Sequence, residues 1–231
     1  MKRILKLMFL TFGIICFLQC QEKVNISNGI AFNGKPKIDS ETLRNLDSLD
    51  IDFQLRGNCY AFSSQKNAKE SNGEAHSENI PKSNNGKFEK DLFGLYLSEN
   101  ELQKVYGKNI GHTLYLINTT DKNIDLSAQD SRLDIKIEIK SNIGIWTEIT
   151  YLPSSSCGNS YHTITLGTDE YWEFVQPVFK GSFKTKLRYK LEFDDRTIVS
   201  NEIVAFINPE QMDKDRKEGY QANNIMDPYN E

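Results

Sequence analysis

Residues 183–193 read Phe-Lys-Thr-Lys-Leu-Arg-Tyr-Lys-Leu-Glu-Phe, and that alternation leaves the chain few ways to fold. Apolar or aromatic side chains, with one threonine, hold the odd positions, and charged ones hold the even positions. Successive side chains of a strand point to opposite faces, so this is a long strand with one face in a core and one in water. Helical spacing would scatter the lysines through the apolar stripe. Lys180-Gly181-Ser182 and Asp194-Asp195-Arg196 bracket the segment with turn chemistry. Residues 171–179 and 198–207 read as flanking strands, which gives an antiparallel arrangement. Pro177 lacks an N–H and belongs at an edge or a strand end.

The same period recurs upstream. Leu133, Ile135, Ile137 and Ile139 alternate with Asp134, Lys136, Glu138 and Lys140. Ile51, Phe53 and Leu55 alternate with Asp52, Gln54 and Arg56. Residues 92–97, 113–118, 124–126, 145–151 and 161–166 read as further short strands. Strands at this density, separated by turns, predict an all-β, antiparallel β-sandwich of the immunoglobulin-like kind over 91–208. Ser98 with Glu101 matches a capping box, predicting a helical turn or two over 99–106. Ser40 starts a second short helix, through Leu49. Residues 63–90 hold almost no large apolar side chains besides Ile80 and Phe88. They read as a disordered linker or polar insertion. If Cys59 pairs with Cys157, residues 51–62 belong to the main domain and the insertion reading holds. Residues 209–231 read as a weakly ordered, charged tail, with a helical turn near 210–218.

The N-terminus is of another kind. Lys2 and Arg3 precede an apolar run, Leu7 to Leu18, that is too short to span a bilayer comfortably and has the size of a secretory signal. The run ends at Gln19-Cys20. An apolar run closing on a cysteine resembles a bacterial lipoprotein signal. That resemblance implies removal of residues 1–20, acylation of Cys20, a membrane anchor in the cell envelope, and a tether over 21–50 that takes in the short helix. Gln21-Glu22-Lys23 resembles the start of Bacteroidetes-type lipoproteins. The order of signals over 92–207, with Leu114-Tyr115-Leu116-Ile117-Asn118 early and Leu187-Arg188-Tyr189 late, resembles the immunoglobulin-like modules of such lipoproteins, the proteinase-inhibitor-like group among them. The resemblance implies a fold and transfers no site residues.

Loss of residues 1–20 removes three basic residues and leaves the chain more acidic than the −4 of the whole sequence. That balance argues against nucleic acid, whose phosphates need a basic surface. In an oxidising envelope Cys59 and Cys157 are the expected disulfide pair. A bridge over so long a loop stabilises by up to about 4–5 kcal/mol in the chain-entropy model. Free structural thiols are one alternative. A nucleophilic Cys157 activated by His162 is another, without a recognisable catalytic signature around it.

Phosphate loops, zinc-helix motifs, nucleophile elbows and dinucleotide fingerprints are missing. The chain therefore reads as a non-enzymatic module with no cofactor and no metal, binding a protein or glycan partner. Trp146, Tyr171 and Trp172 are the candidate binding surface, because adjacent aromatics on a strand face opposite ways and one must point outward. A second reading makes the Ser154-Ser155-Ser156-Cys157 stretch a loop that enters a protease cleft.

Overall fold

The computed structural model describes residues 24–25, 46–64 and 77–217. Acylation at Cys20, the signal, and most of the tether with its helix start lie outside them. Among the described residues the chain is all-β and antiparallel in its main sheets. In chain order the strands are β1 (Val24–Asn25), β2 (Leu49–Asp50), β3 (Leu55–Arg56), β4 (Lys82–Ser83), β5 (Phe93–Val105) and β6 (Asn109–Asn118). There follow β7 (Ile124–Gln129), β8 (Arg132–Leu133), β9 (Ile135–Lys140), β10 (Trp146–Glu148), β11 (Thr150–Tyr151) and β12 (Tyr161–Leu166). The last are β13 (Glu170–Pro177), β14 (Phe179–Lys180), β15 (Phe183–Phe193), β16 (Arg196–Val199) and β17 (Ile203–Ile207).

One sheet has the order β1-β16-β15-β9-β10, with β17 also on β15. The other has the order β4-β13-β6-β5, and a third, β12-β7-β8, lies beside them. Their inner faces share one core: Leu95 and Leu97 from β5, Leu114 and Leu116 from β6, Trp172 and Phe174 from β13, and the odd-numbered residues of β9 and β15. Strand β15 sits centrally because its apolar face is continuous: Leu187 pairs with Ile139, Tyr189 with Ile137 and Leu191 with Ile135. Full burial of each such side chain is worth about 1.5–3 kcal/mol.

Residues 171–179 do not flank β15. Strand β13 pairs with β6 in the other sheet, and the chain changes sheet at Pro177, the last residue of β13. The missing N–H makes that a natural place to leave a ladder. The stretch 198–207 does flank β15, but as two strands. Ser200 and Asn201 interrupt it. The Ser200 hydroxyl accepts from the Tyr189 N–H (2.9 Å), and Asn201 bonds both the N–H and the C=O of Leu97 (2.8 and 3.0 Å). One side-chain amide thus ties the edge of one sheet to β5 of the other.

The helix expected over 99–106 is not formed, and β5 runs through it. The Ser98 hydroxyl does accept the Glu101 N–H (3.3 Å), as a capping box requires, but the chain uses that bond to close a bulge between Ser98 and Gln103. The end of the helix expected to reach Leu49 is also replaced, by a bridge at Asp47 and by β2 on β14. Of the strand expected over 51–56 only Leu55–Arg56 forms, paired with β11. Leu55, Cys59 and Ala61 nonetheless lie in the core, so this segment is part of the main domain.

The polar stretch 63–90 is structured in its described part, 77–90. Phe88 is buried between Tyr115 and Tyr171, with ring centroids 5.2 Å from each in edge-on contact. Asn84 holds the loop: its amide accepts from the Phe88 N–H (2.7 Å) and donates to the Phe88 carbonyl and the Asp169 carboxylate. Lys87 reaches under the loop to the Tyr115 hydroxyl (2.8 Å), and that hydroxyl donates to Glu101. One aromatic and one asparagine suffice because the sheet's outer face already offers Tyr115, Ile117 and Tyr171. Replacing Phe88 by Ala is expected to cost about 3–4 kcal/mol, read as a lowered urea midpoint. Tyr115 and Tyr171 emission should become accessible to a soluble quencher in the same variant. An unchanged midpoint would mean that the loop does not cover the sheet.

Candidate functional site

Trp146, Tyr171 and Trp172 do not make one surface. Trp172 and Tyr171 face opposite ways as adjacent strand residues must. Trp172 is wholly buried in the core, its indole N–H bonded to the Phe62 carbonyl (3.0 Å). Tyr171 faces outward but lies under the Phe88 loop, 7% exposed. Of the three, only Trp146 reaches a surface. It lies half-buried on the outer face of the long sheet, with the Arg188 guanidinium 4.0 Å and the Lys140 amine 5.7 Å from its ring centroid.

On that outer face the charges are paired at one end and free at the other. Arg188 binds Glu138 (2.8 Å), Lys190 binds Glu148 (2.6 Å) and Glu138 (3.5 Å), and Lys136 reaches Glu148 (3.6 Å). Burial works against the Glu148 carboxylate, but the Lys190 hydrogen bond and the two lysine charges outweigh it and hold its pKa below the usual value. Towards the β9–β10 turn, Lys140 and Lys184 have no carboxylate within ion-pair distance among the described residues. They lie over Trp146 and Phe206 instead.

Cys59 and Cys157 are free thiols, so the expected disulfide is not formed. Their settings differ more than their matching Gly-Asn-Tyr neighbours suggest. Cys59 is part of the core and accepts a hydrogen bond from Gln176 (3.3 Å), while Cys157 opens a short 3-10 turn, Gly158–Ser160, in a surface loop. Burial pushes the Cys59 thiol well above its ordinary pKa, which makes it inert. His162 is turned to other partners: Nδ1 faces the Ser160 carbonyl (3.3 Å) and Nε2 the Ser131 hydroxyl (3.4 Å). No hydrogen bond joins it to Cys157. The loop braces itself, with the Ser155 N–H on the Tyr161 hydroxyl (2.9 Å) and the Ser155 and Ser160 hydroxyls 3.0 Å apart.

Beside this loop lies a residue that sequence reasoning passed over. The β7–β8 turn uses Asp130 and Ser131, both with positive φ (49° and 61°), as a two-residue hairpin of the type that matches strand twist. It sets Tyr60, Arg132, Gln129 and Tyr161 in one cross-strand row. Tyr60 and Tyr161 are 42% and 51% exposed, whereas Arg132 between them is only 2% exposed. The Arg132 Nη1 lies 3.5 Å from the Tyr60 hydroxyl, and its Nε and Nη2 are buried with no hydrogen-bond partner. No carboxylate pairs with it among the described residues. A guanidinium carries five donors and cannot discharge, so a buried one lacking an anion is held at a cost. Nothing in the local sequence marks Arg132, which directly precedes the alternating run from Leu133. Only the pairing of residues 59–61 alongside it, distant in the chain, reveals the burial.

A small cavity of about 50 Å³ opens where His112, Phe179, Tyr189 and Ile203 meet between the sheets. It is far below the size of a small-molecule site. Burial lowers the His112 pKa below 6.5, against a raising hydrogen bond with the Glu99 backbone. Among the described residues no group of His, Cys, Asp or Glu has metal-ligand geometry, and no helix is long and apolar enough to cross a membrane. Comparisons with family models, characterised proteins and solved structures returned no match.

Two outcomes follow from the cysteine and histidine settings. Native chain should give up Cys157, and not Cys59, to a thiol-modifying reagent, with Cys59 reacting only in denaturant. Mass analysis of the modified peptides decides, and two native-inert cysteines that react after reduction would restore the disulfide. A His112 held neutral by burial binds its proton later than in the unfolded chain. Its contribution to stability is therefore complete above the pKa of an unfolded histidine, about 6.5, and falls as the pH drops below it. His112→Gln should flatten that part of the urea-midpoint profile.

Proposed function

We propose that the chain is a non-enzymatic, lipid-anchored module of the cell envelope, an immunoglobulin-like sandwich that binds the acidic group of a protein or glycan partner at Arg132. The anchor rests on the apolar run that ends at Cys20. The binding site rests on one observation: a guanidinium 2% exposed, with two donor nitrogens unpartnered, beneath an exposed tyrosine. A carboxylate or sulfate entering beside the Tyr60 ring would accept from Nε and Nη2 together, the geometry in which arginine is most selective. Tyr60 and Tyr161 on either side would give a sugar or peptide flat surfaces to lie on.

The reading carries its own test. Arg132→Met keeps the aliphatic stem and removes the unpaired charge. It should raise unfolding stability by about 1–3 kcal/mol, because no carboxylate among the described residues compensates that charge. It should also abolish binding to acidic glycans or acidic peptides, followed by calorimetry against neutral counterparts. A destabilised Arg132→Met variant, or wild-type chain that fails to distinguish acidic from neutral ligands, would overturn the assignment.

One observation favours a second reading. The serine loop 154–160 is braced from within and leaves Ser154 and Ser156 exposed, as a protease-directed loop would need. Stoichiometric inhibition of some serine or cysteine protease, lost on Ser156→Pro with folding intact, would support it.

A further inference from the structure

The row of side chains around Arg132 continues into a whole sheet face with a composition of its own. Tyr60, Arg132, Gln129 and Tyr161 are cross-strand neighbours, so all four stand on one side of the β12-β7-β8 sheet. Two residues further along the strands, Ser127 pairs with Thr163 on that same side, and both are exposed. The aliphatic residues point the other way: Leu126, Ala128, Leu133, Ile164 and Leu166 all belong to the core. The outer face is therefore built from two tyrosine rings, an amide, two hydroxyls and one guanidinium, with no aliphatic pocket among the described residues of these strands. Strands β7, β8 and β12 contain no lysine, and Arg132 is their one arginine. Asp130 sits in the turn beside Arg132, and Asp125, at the far end of the face, accepts from the Thr165 hydroxyl (2.6 Å).

This face is braced at one end and lightly covered at the other. The Asp130 N–H bonds the Ser160 carbonyl (2.7 Å), which ties the β7–β8 turn to the start of β12. The Tyr161 hydroxyl accepts from the Ser155 N–H, which holds that ring in place. The Tyr60 ring stands over the guanidinium, with its centroid 5.7 Å from Cζ. Its hydroxyl lies 3.5 Å from Nη1, at the outer limit of a hydrogen bond. Three interstrand steps of about 4.8 Å set Tyr60 and Tyr161 roughly 14 Å apart, the length of a trisaccharide laid across the strands. We propose that the acidic partner at Arg132 is a glycan: a short run of neutral pyranose sugars that carries one uronic acid. One sugar ring lies against Tyr161, and the carboxylate turns down beside Tyr60 onto Nε and Nη2. The proposal rests on the Arg132 reading above and narrows it. A peptide partner needs an apolar anchor pocket at the centre of its contact, and this face has none among its described residues. A polysulfated chain needs a field of cations, and here a single arginine stands beside an aspartate. Flat rings next to hydroxyls and an amide match the apolar faces and hydroxyl edges of pyranoses, and one guanidinium selects one carboxylate.

Calorimetry on the full chain compares xylotriose, xylotriose carrying one glucuronate, and a peptide of similar length with one glutamate. The glucuronate-bearing sugar is expected to bind on the order of tenfold more tightly than either of the others. Tyr161 is 51% exposed, so substitutions there should leave the fold intact. Tyr161→Ala should weaken binding of that sugar on the order of tenfold, whereas Tyr161→Phe, which keeps the ring and loses the Ser155 hydrogen bond, should bind as wild type. Wild-type affinity in Tyr161→Ala, or equal losses in the two variants, would overturn the placement of the sugar across the strands. Preference for the peptide, lost in Arg132→Met, would overturn the glycan and leave the arginine reading standing. Binding that shows no preference for a carboxylate in either class would remove both.

Discussion

The register of β15 on β9 is the constraint on which the rest depends. Leu187 with Ile139, Tyr189 with Ile137 and Leu191 with Ile135 place six buried side chains on one face. The same pairing sets Arg188 on Glu138 across the other face. A one-residue slip of β15 would turn Leu187, Tyr189 and Leu191 to water and carry Lys186, Arg188 and Lys190 into the core. The cost of that alternative is many times the net stability of a domain, so the register admits no competitor. What lies on the outer face, including Trp146 and the unpaired lysines, is fixed as a consequence of what the inner face must bury.

That single register also separates the two ends of the molecule. Strand β9 runs from the neighbourhood of Arg132 to the hairpin that carries Ile143. Six residues of strand span about 20 Å. The buried Arg132 guanidinium and the hairpin tip with its lysines are held apart by a paired strand of the long sheet.

The strands with strict alternation were legible from residues alone, because period two survives any tertiary context. The rest depended on partners far away in sequence. Ser98 and Glu101 made the hydrogen bond that their spacing promises, but a bulge between β5 and β6 used it where a helix was expected. Residues 77–90 looked too polar to order, and one phenylalanine proved enough because an aromatic sheet face was waiting for it. Cys59 and Cys157 shared neighbours in sequence and not in space. Arg132 carried no signal in the sequence, and its burial arises from the pairing of Tyr60 alongside it.

Arg132, Lys140 and Lys184 have a common logic. Some cations are closely paired: Lys190 has three carboxylates within reach, and Lys87 lies between Glu101 and Glu173. Arg132, Lys140 and Lys184 are among the described cations that have no carboxylate within ion-pair distance. At Lys184, exposed, and Lys140, half-buried, the omission costs little, since water and salt screen them. At Arg132 it costs stability, because a buried guanidinium has no solvent to replace the missing anion.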